Sequence, residues 1–474
     1  MVLRVLPLNT ALFLVILLEG YVVLASELLA IRLLVPHVGS GVEVVSIVIS
    51  GVLLPLAYGY YYGGKRYHTL QPHKKNRSIR SWLLKNLASA MAILTLGLSF
   101  IFLELFFATL SALGVKHFIA QTAIYTAIFI VYPVFLLAQT VPLISNYFKQ
   151  TQLSRITGRM LFFSTIGSFL GSVVSTIILM NLIGAHLTAA VTICLLAVAI
   201  FILCRRGLRF DHLYAVFVAL LALALNSPSL QQTLGIVGDS AYNTATVVDM
   251  PEKESRGLYL NNSRSSLFSA NPAKRFPYVQ YIEQHILNTM PADGNVLVLG
   301  AGGFTIGFDD RRRRYVFVDI DPTLKEISEA HLLPEKIPAN KEFVAQSVRQ
   351  FLNQSTEAFD VIIAEVYTNK QSIPTEATTL EFWQAVQAKL KPNGIVVANL
   401  IISPRFDDLF SSRIARTFST VFPNHLRQAV DPVDFWQTAD PKNILFIHKS
   451  TPHDDDQLIY TDDLNPHSLD HYRQ

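Results

Sequence analysis

Long apolar runs separated by short polar segments fill the first half of the chain. A helix that crosses the hydrocarbon core of a bilayer needs about 20 apolar residues. Six runs reach that length, at roughly residues 9–34, 42–62, 83–110, 118–144, 160–183 and 185–204. A seventh run, roughly 211–226, would extend only about 24 Å as a helix. The pattern predicts a multi-pass α-helical membrane domain, and we expect the seventh run to lie in the membrane interface.

The second half changes to short apolar strands that alternate with helices. Its central stretch reads as a strand at 296–299, a glycine turn at 300–303, a short helix and a strand at 315–318. Further helices are predicted at 276–290, 322–330, 348–353 and 379–389, and further strands at 342–345, 360–364 and 394–399. This alternation is typical of an α/β domain with a doubly wound, mostly parallel sheet. A small β-hairpin region is predicted before it, from paired strands at 241–248 and 257–260, after which Asn261-Asn262 turn the chain.

These patterns give four segments along the chain. We predict a transmembrane helical domain at 1–226, a linker at 227–239, a nucleoside-binding α/β domain at 240–449 and a polar tail at 450–474. The overall composition, 51% hydrophobic and only 16% charged, is too apolar for an ordinary soluble enzyme of this length.

Charge divides the chain in the same way. Residues 1–236 hold 16 Lys and Arg against 5 Asp and Glu, whereas residues 237–474 hold 23 against 30. The basic clusters at 64–85, 149–159 and 205–209 each follow an even-numbered run, which places the N-terminus inside the cell. A full seventh crossing would place the C-terminal domain outside, which conflicts with chemistry on a cytosolic nucleoside. We therefore expect the seventh run to lie in the interface of the cell membrane, with a cytosolic C-terminal domain.

Ionisable and small residues also occur inside the apolar runs. Glu19, Glu27, Arg32, Glu43 and Glu104 are costly in hydrocarbon, so they predict buried ion pairs or a polar cavity. Small residues at four-residue spacing in the segment 165–172 predict close helix–helix contact.

Polar residues follow the predicted strands where ligands bind to doubly wound sheets, outside their carboxyl ends. Gly300–Gly303 would let a nucleoside approach the backbone, and Asp319 or Asp321 could accept hydrogen bonds from ribose hydroxyls. Ser347 and the segment Glu365–Thr368 follow the next strands. The two cysteines, Cys194 and Cys204, form neither a disulfide framework nor a metal motif, and no metal is expected.

These motifs resemble the spermidine synthase (polyamine aminopropyltransferase) family over residues 240–448, and the whole chain resembles its membrane-integral branch. The membrane part is similar in Glu27-x-x-Ala30-x-Arg32-x-x-x-Pro36-x-x-Gly39-Ser40, Tyr61-Tyr62-Gly63-Gly64 and Thr165–Ser168 to Gly184. The soluble part is similar in Ser240–Asn243, Leu258–Asn262, Gly300–Gly303, Val318–Asp321 and Phe359–Glu365.

The resemblance implies transfer of an aminopropyl group from decarboxylated S-adenosylmethionine to an amine such as putrescine. It implies Glu365 as the general base, with Tyr242 and Tyr367 around the amine. It also implies nucleoside contacts from Gly300, Gly302, Gly303, Asp319, Ile320, Asp321 and Ser347, and substrate contacts from Asn243, Tyr278 and Thr368. The expected partners are a small-molecule amine, the lipid bilayer and possibly a second copy of the chain in a homodimer, and no nucleic acid.

The chain departs from the family at several of these positions. Glu365 replaces the family's aspartate, Gly303 and Ser347 stand where it has acids, and Asn243 replaces a glutamine. Around Tyr278-Val279-Gln280 only the tyrosine of a Tyr-His-Glu motif is kept. Two alternatives therefore stay open: an S-adenosylmethionine-dependent methyltransferase, and a non-catalytic polyamine sensor or transporter.

Overall fold

The computed structural model describes residues 7–66, 75–148, 153–204, 210–367, 377–430 and 441–449. The chain divides into two compact units, Met1–Ala241 and Tyr242–Gln474. The predicted linker holds a helix, Pro228–Thr233, and a strand, β1 (Ile236–Asp239). Thr368 and the predicted polar tail lie outside the described residues.

The N-terminal unit is helical, and its helices follow the apolar runs. The helices are Leu8–Val38, Val42–Arg66, Lys75–Gly97, Phe100–Ala112, Phe118–Thr126, Tyr132–Ala138, Thr140–Ser145, Leu153–Val173, Met180–Leu203 and Phe210–Leu225. The π-helical turns Ala127–Val131 and Val174–Leu179 continue two of them. Within the described residues, five helices are long and apolar enough to cross a membrane, or six if one bent pair counts as a single span. One of the five, Ser154–Leu203, is 50 residues long and contains the fifth and sixth predicted runs.

Two of the predicted runs are interrupted or extended. The third is a bent pair, Ile79–Gly97 and Phe100–Ala112, whose axes differ by 72°. The seventh continues from Phe210 to Thr233 and, at 24 residues, is long enough to span. Its shortness, one of the two reasons for expecting it in the interface, therefore does not hold. The boundary between the fifth and sixth runs is confirmed at Gly184, where φ is +79° and the helix breaks.

Glycines bring the first helix against Leu153–Val173. A Cβ atom at Gly167 would lie 2.1 Å from the carbonyl oxygen of Leu17, and one at Gly171 would lie 2.2 Å from that of Tyr21. These contacts confirm the packing role predicted for the small residues at 165–172. Arg32, farther along the first helix, lies 3.6 Å from a carboxylate oxygen of Asp239, so an ion pair is also present.

The C-terminal unit contains a small antiparallel sheet and a large, mostly parallel one. The first comprises β2 (Thr244–Met250), β3 (Ser255–Leu260) and β4 (Ser263–Phe268). The second comprises β5 (Asn295–Leu299), β6 (Arg314–Asp319), β7 (Lys341–Ala345), β8 (Phe359–Ala364), β9 (Leu390–Ile402), β10 (His425–Ala429) and β11 (Lys442–Lys449). Its seven strands have the order β10-β11-β9-β8-β5-β6-β7, and β9 through β7 are parallel.

This arrangement confirms the predicted α/β fold and its hairpin region, in which Asn261 and Asn262 turn the chain with left-handed φ angles. The α-helices of this unit are Pro277–Tyr281, Leu324–Ile327, Val348–Gln354, Leu380–Ala388 and Leu409–Val421. The short helix predicted after the glycine turn was wrong, because residues 301–313 form a series of turns. Left-handed φ angles at Phe304 and Gly307 prevent a continuous helix there.

Candidate active site

Four consecutive strands end at one edge of the large sheet and carry the predicted site residues. β5 is central, with β8 on one side and β6 on the other, and β7 lies beyond β6. Glu365 follows β8, Gly300 follows β5 and Asp319 ends β6. Ser347 follows β7 and begins the helix Val348–Gln354 without a side-chain capping bond. Because these strands are parallel, their carboxyl ends meet at one edge, where doubly wound folds bind ligands.

The glycine turn has no room for larger residues. Gly300 has a φ of +91°, and a Cβ there would lie 2.0 Å from the carbonyl oxygen of Glu365. Gly302 also has a left-handed φ, +48°. The Gly303 N–H donates to Ser266 Oγ at 2.8 Å, and a Cβ at Gly303 would lie 2.2 Å from Leu332 Cδ2. The acid that the family resemblance leads one to expect at 303 is absent, and a larger side chain there would require Leu332 to move.

Asp319 is oriented by the backbone around it. Its two carboxylate oxygens accept from Ala301 N at 3.0 Å and from Asp321 N at 3.1 Å. Burial raises the pKa of Asp319 to about 6, and these backbone hydrogen bonds oppose that rise. Each oxygen keeps a lone pair that could accept from a ribose hydroxyl. Beside it, Ile320 is 45% exposed, which leaves an apolar surface at the site edge.

Asp321 and Asn243 belong to a buried hydrogen-bond network. Asn243 Nδ2 donates to Asp321 Oδ2 at 2.9 Å, and Asn261 Nδ2 donates to Asn243 Oδ1 at 2.8 Å. Asp321 also accepts from the N–H and the hydroxyl of Thr323. Asp321 is fully buried. The structure therefore gives both side chains a role in joining the hairpin region to the end of β6.

Glu365 is held by two neutral donors. The Tyr278 hydroxyl hydrogen-bonds to its carboxylate, and Asn399 Nδ2 donates to Oε1 at 3.4 Å. Burial raises the pKa of Glu365 to about 7, against the lowering effect of these two hydrogen bonds. Burial, with the neighbouring Glu365 charge, also holds the pKa of Tyr278 well above its usual range. A desolvated carboxylate with neutral neighbours can bind a cation and accept its proton.

Sequence reasoning missed Asn399. It lies at the end of the predicted strand 394–399, beside β8, and only its position at the carboxyl edge could have pointed to it. Its Oδ1 atom is buried and has no hydrogen-bond partner within the described part of the chain. It is therefore an acceptor available beside the Glu365 carboxylate.

The two tyrosines predicted around the amine differ in their contacts. The Tyr367 hydroxyl donates to the carbonyl of Asn399 at 2.8 Å and accepts from the N–H of Ile401 at 2.7 Å. Burial raises its pKa. The hydroxyl thus uses both its donor and its acceptor capacity to hold the end of β9 beside Glu365. The Tyr242 side chain is 39% exposed, and its carbonyl accepts from Asn261 Nδ2 at 3.4 Å.

Comparisons with known proteins find similarity to polyamine aminopropyltransferases. No protein-family model matches the chain. It is 26% identical over 314 residues to a polyamine aminopropyltransferase of Oceanobacillus iheyensis, covering 60% of this chain and 59% of that protein. It is 30% identical over 115 residues to polyamine aminopropyltransferase 2 of Pseudomonas aeruginosa, covering 23% and 33% of the two chains. The chain is similar in sequence to polyamine aminopropyltransferases.

The match to the Oceanobacillus protein covers 60% of this chain, which is more residues than the unit Tyr242–Gln474 contains. The chain spans only 59% of the length of the Oceanobacillus protein and 33% of the length of the Pseudomonas protein. A probable spermidine synthase of Corynebacterium glutamicum aligns with a TM-score of 0.39 at 21% identity, covering 46% of this chain and 80% of that one. No conclusion rests on a structural likeness of that degree. Within the described residues, no group of three or more His, Cys, Asp or Glu side chains could hold a metal ion.

Proposed function

We propose that the C-terminal unit is an aminopropyltransferase anchored in the cell membrane by the N-terminal unit. Its donor would be decarboxylated S-adenosylmethionine, and its acceptor a di- or polyamine such as putrescine. The observation that carries this proposal is Glu365, a desolvated carboxylate held by Tyr278 and Asn399 beside the glycine turn. The similarity to named polyamine aminopropyltransferases supports it.

In the proposed reaction, an amine nitrogen attacks the aminopropyl carbon next to the sulfonium. A C–N bond forms, the C–S bond breaks, and its electron pair stays on sulfur as methylthioadenosine leaves. The attacking nitrogen must lose a proton, which Glu365 accepts. A carboxyl group with a pKa of about 7 can hold an ammonium group and then receive its proton near neutral pH. Asn399 Oδ1, which is buried and has no hydrogen-bond partner among the described residues, would accept a second N–H from the amine.

The nucleoside would lie on the other side of β5. Asp319 would accept from the ribose hydroxyls, and the backbone at Gly300 and Gly302 would border the nucleoside. The exposed Ile320 side chain would cover one face of the adenine. Tyr242, Ser347 and Thr368 keep the contacts that the family resemblance implies for them, as parts of the proposal. Holding two substrates in line supplies much of the rate acceleration of such a displacement.

A second candidate is methyl transfer from S-adenosylmethionine, and it is favoured by one observation. Position 303 is a glycine, packed against Ser266 and Leu332, so the substrate-binding acid expected there is absent. Methyl transfer needs the ribose acid Asp319 but no additional acid at 303. The two reactions share the nucleoside site and differ in the group that leaves the sulfonium.

The apolar helices of the N-terminal unit support the membrane anchor. Five described helices are long and apolar enough to span. Large apolar side chains lie exposed on several of them, as at Leu54, Ile177, Leu182 and Phe217. Because contiguous exposed apolar surface is unfavourable in water, lipid is the solvent that suits these side chains.

The test is product release by the full-length protein in lipid nanodiscs. With decarboxylated S-adenosylmethionine and putrescine we expect methylthioadenosine, and Glu365→Gln should lower the rate by about 10²–10⁴-fold. Glu381→Gln, on the exposed start of the helix Leu380–Ala388, is the matched control and should keep the full rate. Release of S-adenosylhomocysteine from S-adenosylmethionine would select the methyltransferase instead. No release from either donor, across several amines, would reject both reactions.

A further inference from the structure

We infer that the helical segment Phe210–Thr233 crosses the bilayer as a seventh span, and that the C-terminal unit therefore lies on the extracytoplasmic face. This inference is independent of the proposed function, because it rests on contacts within the N-terminal unit and on the charges of its loops. It replaces the expectation of a cytosolic domain, which depended on a seventh segment that stays in the interface.

The first observation is that the chain after Leu203 passes along the preceding helix from one end to the other. Near the end of Met180–Leu203, the rings of Phe201 and His212 are 4.9 Å apart. Near its start, just after the break at Gly184, the backbone N–H of His186 donates to Asp239 Oδ2 at 2.8 Å. From His186 to Phe201 a helix rises about 22 Å. The segment from His212 to Asp239 must therefore cover that distance in the opposite direction.

The exposed face of this helix is apolar. Its exposed residues include Phe210, Leu213, Phe217 and Leu220. Its buried residues include two alanines, Ala215 and Ala222, which allow close contact with neighbouring helices. A helix that lies in the membrane interface shows a polar face to water. An apolar outer face around a tightly packed inner face is instead typical of a span that contacts lipid.

A polar cluster at the end of the first helix fixes the face of the membrane at which Asp239 lies. Arg32, in the last two turns of Leu8–Val38, donates to the carbonyl of Ser240 at 3.1 and 3.2 Å and lies 3.6 Å from Asp239. We call Arg32, His186, Asp239 and Ser240 the exit cluster. It joins the far end of the first span, the break at Gly184 and the segment after the seventh helix. All three lie at the same face only if the seventh helix crosses.

Contacts elsewhere in the bundle agree with this count. Gly167 packs on Leu17 and Gly171 on Tyr21, so the helix Leu153–Val173 runs parallel to the first helix and ends at the same face. His37, at the end of the first helix, stacks on Phe107 of the helix Phe100–Ala112 at 4.4 Å. The bent pair therefore also reaches this face, as a single crossing should.

The charges of the loops say which face is cytoplasmic. In the sequence, lysine and arginine are concentrated in the segments that follow the second, fourth and sixth spans: Lys65, Arg66, Lys74, Lys75, Arg77, Arg80, Lys85, Lys149, Arg155, Arg159, Arg205, Arg206 and Arg209. The connections on the face of the exit cluster, 39–41 and 113–117, contain one lysine, Lys116, and no arginine. Because basic loops stay in the cytoplasm, the exit cluster and the chain that leaves it at Ala241 lie outside. The site at Glu365 would then draw its substrates from the extracytoplasmic side.

Cysteine labelling of the full-length chain in a bacterial membrane tests this placement. Single cysteines would replace Lys65, Lys116 and Glu381, all exposed, and the unsubstituted chain gives the background from Cys194 and Cys204. A membrane-impermeant maleimide is applied to intact spheroplasts and, separately, after permeabilisation. We expect Lys116→Cys and Glu381→Cys to react fully in intact spheroplasts, and Lys65→Cys to react only after permeabilisation.

Protection of Glu381→Cys in intact spheroplasts would overturn the inference, whichever way the two loop positions react. Labelling does not require turnover, so the same three cysteines in a Glu365→Gln background should give the same result. A chain that fails as an aminopropyltransferase but labels as expected would leave the seventh span standing. If the chain is active but the cysteines label in the opposite way, the extracytoplasmic placement is wrong and the proposed function is unaffected.

Discussion

Two buried carboxylates, one in each unit, are held in opposite ways. Asp239 in the N-terminal unit lies beside the guanidinium of Arg32 and accepts from the backbone of His186. Glu365 in the C-terminal unit is contacted by the neutral Tyr278 hydroxyl and Asn399 amide. A carboxylate that already has a cation contributes to structure, whereas a desolvated one with neutral donors retains the capacity to bind a cation. This difference separates the fixed part of the molecule from the candidate site.

Removal of the cation from the exit cluster should have the largest effect on stability. Arg32→Met leaves Asp239 buried without its guanidinium, which costs roughly 3–5 kcal/mol when one partner of a buried pair is lost. The measurement is the thermal unfolding of the full-length protein in detergent. Arg32→Met with Asp239→Asn keeps an acceptor for His186 N–H and should recover part of the loss. If the unfolding free energy of Arg32→Met alone lies within about 0.5 kcal/mol of that of the parent, the ion pair does not have the structural role given to it.

Glu365→Gln should have the opposite effect on stability. Burial raises the pKa of Glu365 from 4.5 to about 7, so the folded state favours the protonated form. This contribution to stability is complete below pH 4.5 and is lost as the pH rises to 7. Glutamine does not ionise, so at pH 8 the variant should be more stable by up to roughly 3 kcal/mol.

Hydrogen exchange in peptides of β8 and β9 would measure this gain, and the two proteins should be alike near pH 4.5. A variant that is less stable than the parent at pH 8 would show that the ionised carboxylate has a stabilising partner. Glu365 would then resemble Asp239, and the comparison between the two units would fail.

Asn243→Ala should destabilise the C-terminal unit by a smaller amount. It removes a donor to buried Asp321 and an acceptor for buried Asn261, and an unsatisfied buried polar group costs about 1–3 kcal/mol. Thermal unfolding measures the loss, and Asn243→Gln, the residue implied by the family resemblance, should restore part of it. Unchanged stability with a raised KM for the amine would instead support the substrate contact expected from the sequence.

Much of the fold follows from patterns that are local in the sequence. Apolar run lengths located the long helices of the N-terminal unit, and alternation of strands and helices located the parallel sheet, because both depend on the spacing of neighbouring residues. The break at Gly184 also follows from one residue. The bend of 72° between Gly97 and Phe100 could not be predicted from the sequence, because it depends on packing between helices.

The site was only partly predictable, for a related reason. Parallel strands place their ends at one edge, so Glu365, Gly300 and Asp319 could be expected together. Tyr278 and Asn399 reach Glu365 from elements distant in sequence, and no local pattern gives their hydrogen bonds. The seventh segment shows the same limit: its apolar character was readable, but its continuation to Thr233 was not, and its inferred direction depends on the contact between His186 and Asp239.

The smallest expected effect comes from Tyr278→Phe, which separates the two donors of Glu365. The Tyr278 hydrogen bond lowers the pKa of Glu365, so its loss should move that pKa further above about 7, by up to about one unit or 1.4 kcal/mol. The midpoint of the rise of kcat/KM with pH, measured by methylthioadenosine release, should move upward by the same amount. Tyr281→Phe, on the same helix, should leave the midpoint in place. An unchanged midpoint in Tyr278→Phe would mean that the hydroxyl does not act on the Glu365 carboxylate, and that Asn399 alone orients it.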